Sequence, residues 1–445
     1  MSYREAVSAL KVALTFGIHP SLEGIRALTA VLDHPQDAIA CIQVTGTNGK
    51  SSVTRMIAAL LRAEGFHVGA YTSPHLDSYT ERIELGGAAV DEGRFASAIT
   101  QAIDASQAAH AAGYSQSFTE FELLTAAALA LFRDVGVDFA VLEVGMGGRW
   151  DATSVVDPSV SVVTGVALDH TRHLGSTREQ IAADKAHIIK GASAPVLGPG
   201  TVGVEDVILR RADELDTHPR AVREAREHSP LAEEMTVRFS VRAASGTFEG
   251  GTRLDVDGLH GSYPDIAIAA PRYQAGNAAV AVAAAEAALG RPLDAVAVRT
   301  ALASLRFPAR FEVFRDDPPV VIDGSHNPEA AAVLADAITE AFGEKRPTVL
   351  LGVLADKDAA GIVRALAPVA SSWAVTAPDS DRALPAEELA AAIQRETGAV
   401  PEVFPTIAVA LATLLPAAAQ GLIVTGSLTT AAEARRALAY LLESR

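Results

Sequence analysis

The stretch Ala40-Cys41-Ile42-Gln43-Val44-Thr45-Gly46-Thr47-Asn48-Gly49-Lys50-Ser51-Ser52 decides the fold. Residues 40–45 read as a buried strand, and a glycine turn follows. Val53 to Ala63 then carries apolar residues at helical spacing, among them Ile57, Leu60 and Leu61, with Gly65 placed to end the helix. Val68 to Tyr71 reads as the next strand. Strand, helix, strand is the unit of a parallel sheet. In the turn, Gly46 and Gly49 permit tight backbone and close approach of an anion. N–H groups at the helix start point at that anion, aided by the helix dipole. Lys50 adds a point charge, and Ser51 or Ser52 offers a hydroxyl to Mg2+. Position 44 is Val, so this is the short form Gly-x-x-Gly-Lys-Ser of the phosphate loop. Lysine is scarce (Lys11, Lys50, Lys185, Lys190, Lys345 and Lys357 are all there are), which makes one in this turn less casual.

Working outward, residues 3–33 look helical with a break at Gly17 to Pro20. Glu120 to Phe132 is a helix rich in Leu and Ala. Residues 139–144 and 160–166 are apolar runs of the kind that central parallel strands show. Residues 178–189 form a further helix. From about 195 the texture changes, and segments 236–243 and 247–256 alternate like an antiparallel excursion. Asn277 to Leu289 is helical. Beyond a junction near Pro308, strands 320–322, 348–351, 373–375 and 422–424 alternate with helices. The expected class is α/β with two domains. Residues 1–297 form an N-terminal ATPase-like parallel-sheet domain with a phosphate loop and a small antiparallel excursion. Residues 298–445 form a C-terminal Rossmann-like α/β domain. Arg210 to Glu234, with its alternating charges, reads as a solvated face or loop.

The 445 residues exceed one ordinary core, which supports two domains. A net charge of -17 repels a phosphate backbone at long range, so nucleic acid is not an expected partner. The single cysteine, Cys41, reads as a buried core thiol in a reducing compartment. The Ala-rich stretch 267–288 holds Arg272, Gln274, Asn277 and Glu286 and is no membrane span. A cytoplasmic monomer working on small molecules is expected, with no membrane association.

Strand ends carry the chemistry in such folds. Glu143 ends an apolar run and precedes Gly145-Met146-Gly147-Gly148-Arg149; a buried carboxylate there needs a metal or a partner, and Arg149 is the scaffold alternative. Thr72-Ser73-Pro74-His75 follows a strand, and Ser73 has a hydroxyl to offer. Leu168-Asp169-His170 follows strand 160–166, placing Glu143 and His170 at the ends of neighbouring strands. Periodicity alone makes Lys185 a snorkelling surface lysine. In the second domain, Arg306 to Glu312 and Asp323 to Pro328 place polar residues at sheet edges. A phosphate site on one domain and a polar site on the other favour a ligase with a cleft between them over a kinase or a simple ATPase.

In order along the chain, Val44–Ser52, Thr72–Leu76, Glu81–Ile83, Phe118–Glu122, Glu143–Thr153, Leu168–Lys190, Pro308–Glu312, Asp323–Ala330 and Gly352–Asp358 resemble folylpolyglutamate synthase and the bifunctional dihydrofolate synthase of bacteria, within the Mur ligase superfamily. The resemblance implies that residues 46–52 bind ATP phosphates. It implies that Ser73, Glu143 and His170 are magnesium ligands with Ser51 or Ser52, in two sites. Lys185 matches a carbamylated lysine, which makes it an anion at the metals. Asn277, Arg310 and Asp323 match nucleotide contacts, and His326 lies near the nucleotide and glutamate pocket. Arg82, Phe121 and Asp151 lie on the pterin side. The implied reaction forms an acyl phosphate from ATP and a folate-type carboxylate (dihydropteroate or a reduced folate), which the amine of L-glutamate then attacks, with domain closure excluding water. The chain departs from the family pattern at Ser51 (usually Gly), His187 (Gly), Tyr273 (His), Ser325 (Ala), Trp150 (Leu) and Ser154 (Asn). Trp150 and Ser154 flank the pterin side, so the alternative is a superfamily amide ligase on a different acid and amine.

Overall fold

The computed structural model describes residues 1–17, 19–242 and 251–443. It divides into two compact units: Met1–Arg242 with Arg253–Ala267 and Gln274–Leu305, and Ala243–Thr252 with Ile268–Tyr273 and Arg306–Arg445.

The first unit is built on an 11-stranded sheet. Its strands are β1 (Ala40–Thr45), β2 (Val68–Tyr71), β3 (Ile83–Leu85), β4 (Ala88–Ala89), β5 (Phe139–Glu143), β6 (Val160–Gly165), β7 (Ala194–Gly200), β8 (Arg220–Glu224), β9 (Thr236–Arg242), β10 (Thr252–Asp257) and β11 (Ser262–Ile268). The order is β11-β10-β9-β8-β7-β6-β1-β5-β2-β3-β4. From β2 across to β9 the pairings are parallel. The chain leaves β1 toward β5 and β2 on one side and toward β6 and β7 on the other. The carboxyl end of β1 is therefore a topological switch point, where ligands bind in open α/β sheets. Because β1 lies between β5 and β6, Glu143 and the segment carrying His170 flank β1 and do not end neighbouring strands.

Helices cover both faces. On one face Tyr3–Leu14, Glu23–Val31, Glu92–Ala111 and Glu120–Asp134 bury Ile25, Leu28, Phe95, Leu124 and Phe132 against Tyr71, Ala140 and Leu142. Cys41 is buried in this cluster, as its neighbours foretold. On the other, helix Lys50–Ala63 packs between helices Gln274–Leu289 and Ala295–Ser304. Residues Ala278 to Ala285 are all fully buried, as a helix apolar all round must be. Glu286 is equally buried and accepts from Tyr263 Oη and Leu259 N, both at 2.5 Å. No helix among the described residues is long and apolar enough to cross a membrane.

Three expectations change here. The first unit runs to Leu305 and not to 297, because helix Ala295–Ser304 lies on helix Lys50–Ala63. Glu64 at the end of that helix pairs with Arg291 at 2.7 Å and accepts from Asp294 N at 2.6 Å, which fixes the approach. Arg210 to Glu234 is a loop only in part: it also holds the end of helix Glu205–Glu214 and all of β8. Arg223, fully buried, pairs there with Glu205 at 2.7 Å. The segment read as 178–189 is helical to Lys185 and tightens to a 3-10 turn over Ala186–Ile188. Residues 243 and 247–250 of the expected antiparallel excursion lie outside the described residues; β9 and β10 pair antiparallel as expected.

The second unit has a 6-stranded sheet of β12 (Glu312–Asp316), β13 (Pro319–Ile322), β14 (Thr348–Leu351), β15 (Ser372–Val375), β16 (Glu402–Val403) and β17 (Leu422–Thr425), ordered β12-β13-β17-β14-β15-β16. Among the strands of this sheet in the described residues, only the β12–β13 pairing is antiparallel. Val321, Leu334, Ile338, Val349, Ile362 and Ile423 centre its core. The rims of both sheets are interrupted. β4 is two exposed alanines. β11 contains Pro264 and a left-handed Asp265 at φ +59°. β12 is bulged between Val313 and Arg315, and β16 is two residues long.

Candidate active site

The phosphate loop joins β1 to helix Lys50–Ala63, and two of its positions admit only glycine. Gly46 (φ +153°) would press a Cβ to 1.9 Å from Thr164 Oγ1, and Gly49 (φ +86°) to 2.7 Å from Asn277 Oδ1. The loop is tied to the end of β6. Thr47 N donates to Gly165 O at 2.9 Å, Thr164 Oγ1 donates to Asn48 O at 2.6 Å, and the Thr47 hydroxyl meets Ala167 N and O at 3.0 and 3.2 Å. Lys50 Nζ folds back onto Gly46 O and Thr47 O at 3.1 and 3.2 Å.

Three expected ligands converge on this loop. Glu143 is 1% exposed. Its carboxylate accepts from Ser51 Oγ at 2.7 Å and from Ser73 N at 3.1 Å. Burial pushes its pKa up, opposed by the Lys50 cation and these two donors. Arg149 does not pair with it; that guanidinium stacks 4.8 Å over the Trp150 ring. Ser52 is turned the other way, accepting from Gln274 Nε2 at 3.1 Å, so Ser51 is the hydroxyl beside the carboxylate. Gln274 Oε1 in turn accepts from Asn277 Nδ2 at 2.7 Å, which places Asn277 against Gly49.

Lys185 overturns the snorkelling expectation. It is 3% exposed, and its Nζ donates to Gly46 O at 2.8 Å. Burial, and then the Lys50 cation, lower its pKa to about 7. The periodicity misled because helix Arg178–Lys185 ends there, and its last residue turns into the loop. His170 is exposed, sits in the left-handed region at φ +49° and begins helix Thr171–Leu174, just beyond the residues that hold Thr47.

The loop after Glu143 is clamped at each step. Asp151 Oδ2 accepts from Gly145 N and Met146 N at 2.9 and 3.0 Å, and its Oδ1 accepts from Thr153 N at 3.0 Å. Asp151 thus shapes the loop from within, and burial raises its pKa. Phe121 packs on Gly145 and on the Tyr71 ring. Arg82 is buried beside Tyr79, with Nε donating to His75 Nδ1 at 2.9 Å and Nη1 3.8 Å from Glu120. Burial and Arg82 lower the His75 pKa to about 4, so this histidine is neutral.

In the second unit, Asp323 is buried. It accepts from Phe311 N at 2.7 Å and from Ser325 N and Oγ at 2.8 and 2.5 Å. Its grip holds left-handed Ala309 and Phe311 (φ +53° and +52°) on either side of Arg310. Arg310 Nη1 would lie 2.9 Å from a Cβ at Gly324, and His326 Nδ1 lies 2.9 Å from Gly324 O. Sequence reasoning missed Thr164, Gln274, Glu120 and Asp184. The only signals were adjacency to Gly165, Tyr273, Phe121 and Lys185 respectively.

The Glu143 carboxylate and the Ser51 hydroxyl are oxygen donors, which suits a hard cation such as Mg2+, and Ser73 meets the carboxylate through its backbone N–H. Among the described residues no three His, Cys, Asp or Glu side chains gather to hold a metal.

Two family models match: the Mur ligase middle domain over residues 44–198, and the Mur ligase glutamate ligase domain over 309–428. The dihydrofolate synthase/folylpolyglutamate synthase of Mycobacterium tuberculosis is 37% identical, over 94% of this chain and 90% of that one. Escherichia coli FolC in complex with DHPP and ADP superposes with a TM-score of 0.86 at 29% identity, covering 99% of each chain. A bifunctional folylpolyglutamate synthase/dihydrofolate synthase with Mn, AMPPNP and L-glutamate bound gives 0.83 at 27%, covering 99% of this chain and 98% of that one.

Proposed function

Because the chain belongs to the dihydrofolate synthase/folylpolyglutamate synthase family of Mur ligases, it is an ATP-dependent amide ligase, and we propose how its residues join L-glutamate to a folate-type carboxylate. The observation that carries the reading is the convergence of Ser51, Ser73, Glu143 and Lys185 on the phosphate loop.

Residues 46–52 cradle the ATP phosphates. Lys50 leaves the Gly46 and Thr47 carbonyls for the anion and neutralises charge on the transferring phosphoryl group. Ser51, Ser73 and Glu143 would hold magnesium, and His170 and Lys185 would serve a second ion. The metal supplies charge neutralisation on phosphoryl oxygens. A Lys185 amine with a pKa near 7 is largely neutral at physiological pH, the form that adds CO2. The addition forms an N–C bond, releases one proton and leaves a carbamate anion. That anion gives the lysine the oxygen ligands it otherwise lacks. Asn277, Arg310 and Asp323 serve the nucleotide, Arg310 by contact and Asp323 at least by holding the turn around it. Arg82 and Phe121 face the acceptor, Asp151 acts through the loop it clamps, and His326 serves the glutamate side. The acceptor carboxylate attacks the γ-phosphate and ADP leaves; the glutamate amine attacks the acyl carbon and phosphate leaves. Positioning does most of the work.

The test is ADP release with glutamate and either dihydropteroate or tetrahydrofolate. Turnover that needs both glutamate and one of these acids is expected. ADP release only with some other acid would move the chain to a different acceptor, and the exposed Trp150 beside Asp151 is where that difference would be sought.

A further inference from the structure

A closed ring of bonds runs through the first unit. Thr45 Oγ1 donates to Gly147 O at 2.5 Å. One residue on, Gly148 N donates to Asp184 Oδ1 at 2.9 Å, and Arg149 N reaches the same oxygen at 3.4 Å. Asp184 precedes Lys185, whose Nζ donates to Gly46 O at 2.8 Å, and Gly46 follows Thr45 in the chain. The ring thus links the phosphate loop, the loop after Glu143 and the helix that carries Lys185. It has no slack. Gly147 is left-handed at φ +69°, and a Cβ there would stand 2.2 Å from Asp184 Oδ1. A Cβ at Gly148 would stand 2.8 Å from Lys185 O. A lysine side chain is long and flexible, so burial of its stem does not fix its head group. The ring fixes both ends.

We propose that Asp184 and Thr45 are positioning residues that set where the Lys185 head group sits against the phosphate loop. Neither is assigned a contact with substrate. Asp184 acts here as a hydrogen-bond acceptor, a role that an amide oxygen also fills; its charge also holds the Lys185 pKa up, so acetylation is compared at about pH 9, where that amine is neutral with or without the charge. The consequence for turnover rests on the role given to Lys185 in the ligase reaction; the positioning itself does not.

The experiment uses the full chain with Thr45→Val, Asp184→Ala, Asp184→Asn and the Thr45→Val/Asp184→Ala pair. One readout is kcat and the KM for ATP in glutamate-dependent ADP formation. The other is the rate at which acetic anhydride acetylates Lys185 relative to Lys190, read by peptide mass spectrometry. Thr45→Val and Asp184→Ala should each lower kcat about tenfold or more while the KM for ATP stays within about twofold. Both should raise the relative acetylation of Lys185 by a similar factor, and Asp184→Asn should stay near wild type in both readouts. The pair should match the worse single variant, since a ring opened twice is no looser than a ring opened once. Unchanged Lys185 acetylation in the single variants, or effects that multiply in the pair, would overturn the proposal. Should Asp184→Ala not fold, Thr45→Val, which removes one hydroxyl, decides by the same acetylation readout. A wild-type chain without turnover sinks the ligase reading alone, because the acetylation pattern still decides the ring.

Discussion

Lys185 holds a buried amine, displaced from its ordinary range, beside a second cation. Burial favours the neutral form, and Lys50 favours it further, so the folded pKa falls to about 7 from the usual lysine value of 10.5. Only the neutral amine adds CO2. Carbamate at Lys185, followed by 13C NMR with labelled bicarbonate, is therefore expected to rise as pH climbs through about 7; uptake that waits for the usual lysine range would contradict it. Lys185→Ala should abolish turnover, keep ADP binding within a few-fold and regain some activity with a short carboxylic acid. Single-residue roles of this kind were legible only in part. Glu143 stood out because a carboxylate closing an apolar run is costly unless it is engaged. Thr164 and Gln274 are ordinary polar residues whose importance comes from what folding sets beside them, Gly46 and Ser52.

At the scale of elements, a strand is legible when both of its faces are apolar and illegible when its partners are distant or its glycines serve another purpose. β1, β5 and β6 belong to the first kind. β7 belongs to the second: Gly198, Pro199 and Gly200 look like a turn, yet Gly200 is glycine because a Cβ there would lie 2.9 Å from the Cα of Gly165. β8 hides differently, since Arg220-Ala221-Val222-Arg223-Glu224 reads as a charged run. Arg223 becomes a core residue only when Glu205 and the carbonyls of Gly198 and Val222 receive it. Removing one partner of a buried ion pair leaves the other uncompensated. Arg223→Ala should destabilise the first unit by roughly 3–5 kcal/mol in urea unfolding, with ADP affinity unchanged under native conditions. A loss below about 1 kcal/mol would mean that the pair behaves as a surface one.

For the whole molecule, the alternation of strand and helix announced two α/β units, and the boundary fell eight residues late because helix Ala295–Ser304 is claimed by long-range packing. The net charge of -17 acts at this scale as well, as a mutual repulsion between copies. With a sequence pI near 5.2 that repulsion vanishes on mild acidification. Light scattering should show self-association rising as pH falls toward about 5, and added salt at pH 7 should bring a smaller rise; equal solubility at pH 5 and pH 8 would refute the charge argument. The interrupted rims add a safeguard that does not depend on charge. An uninterrupted outer strand is a template on which another chain can lay down hydrogen bonds, the first step toward a fibril. Two-residue strands, a bulge, and a proline next to a left-handed aspartate deny that template. Among the described residues, amyloid-like growth is left to interior segments such as 139–144 once they are torn from the sheet, so its onset there should follow the rate of unfolding.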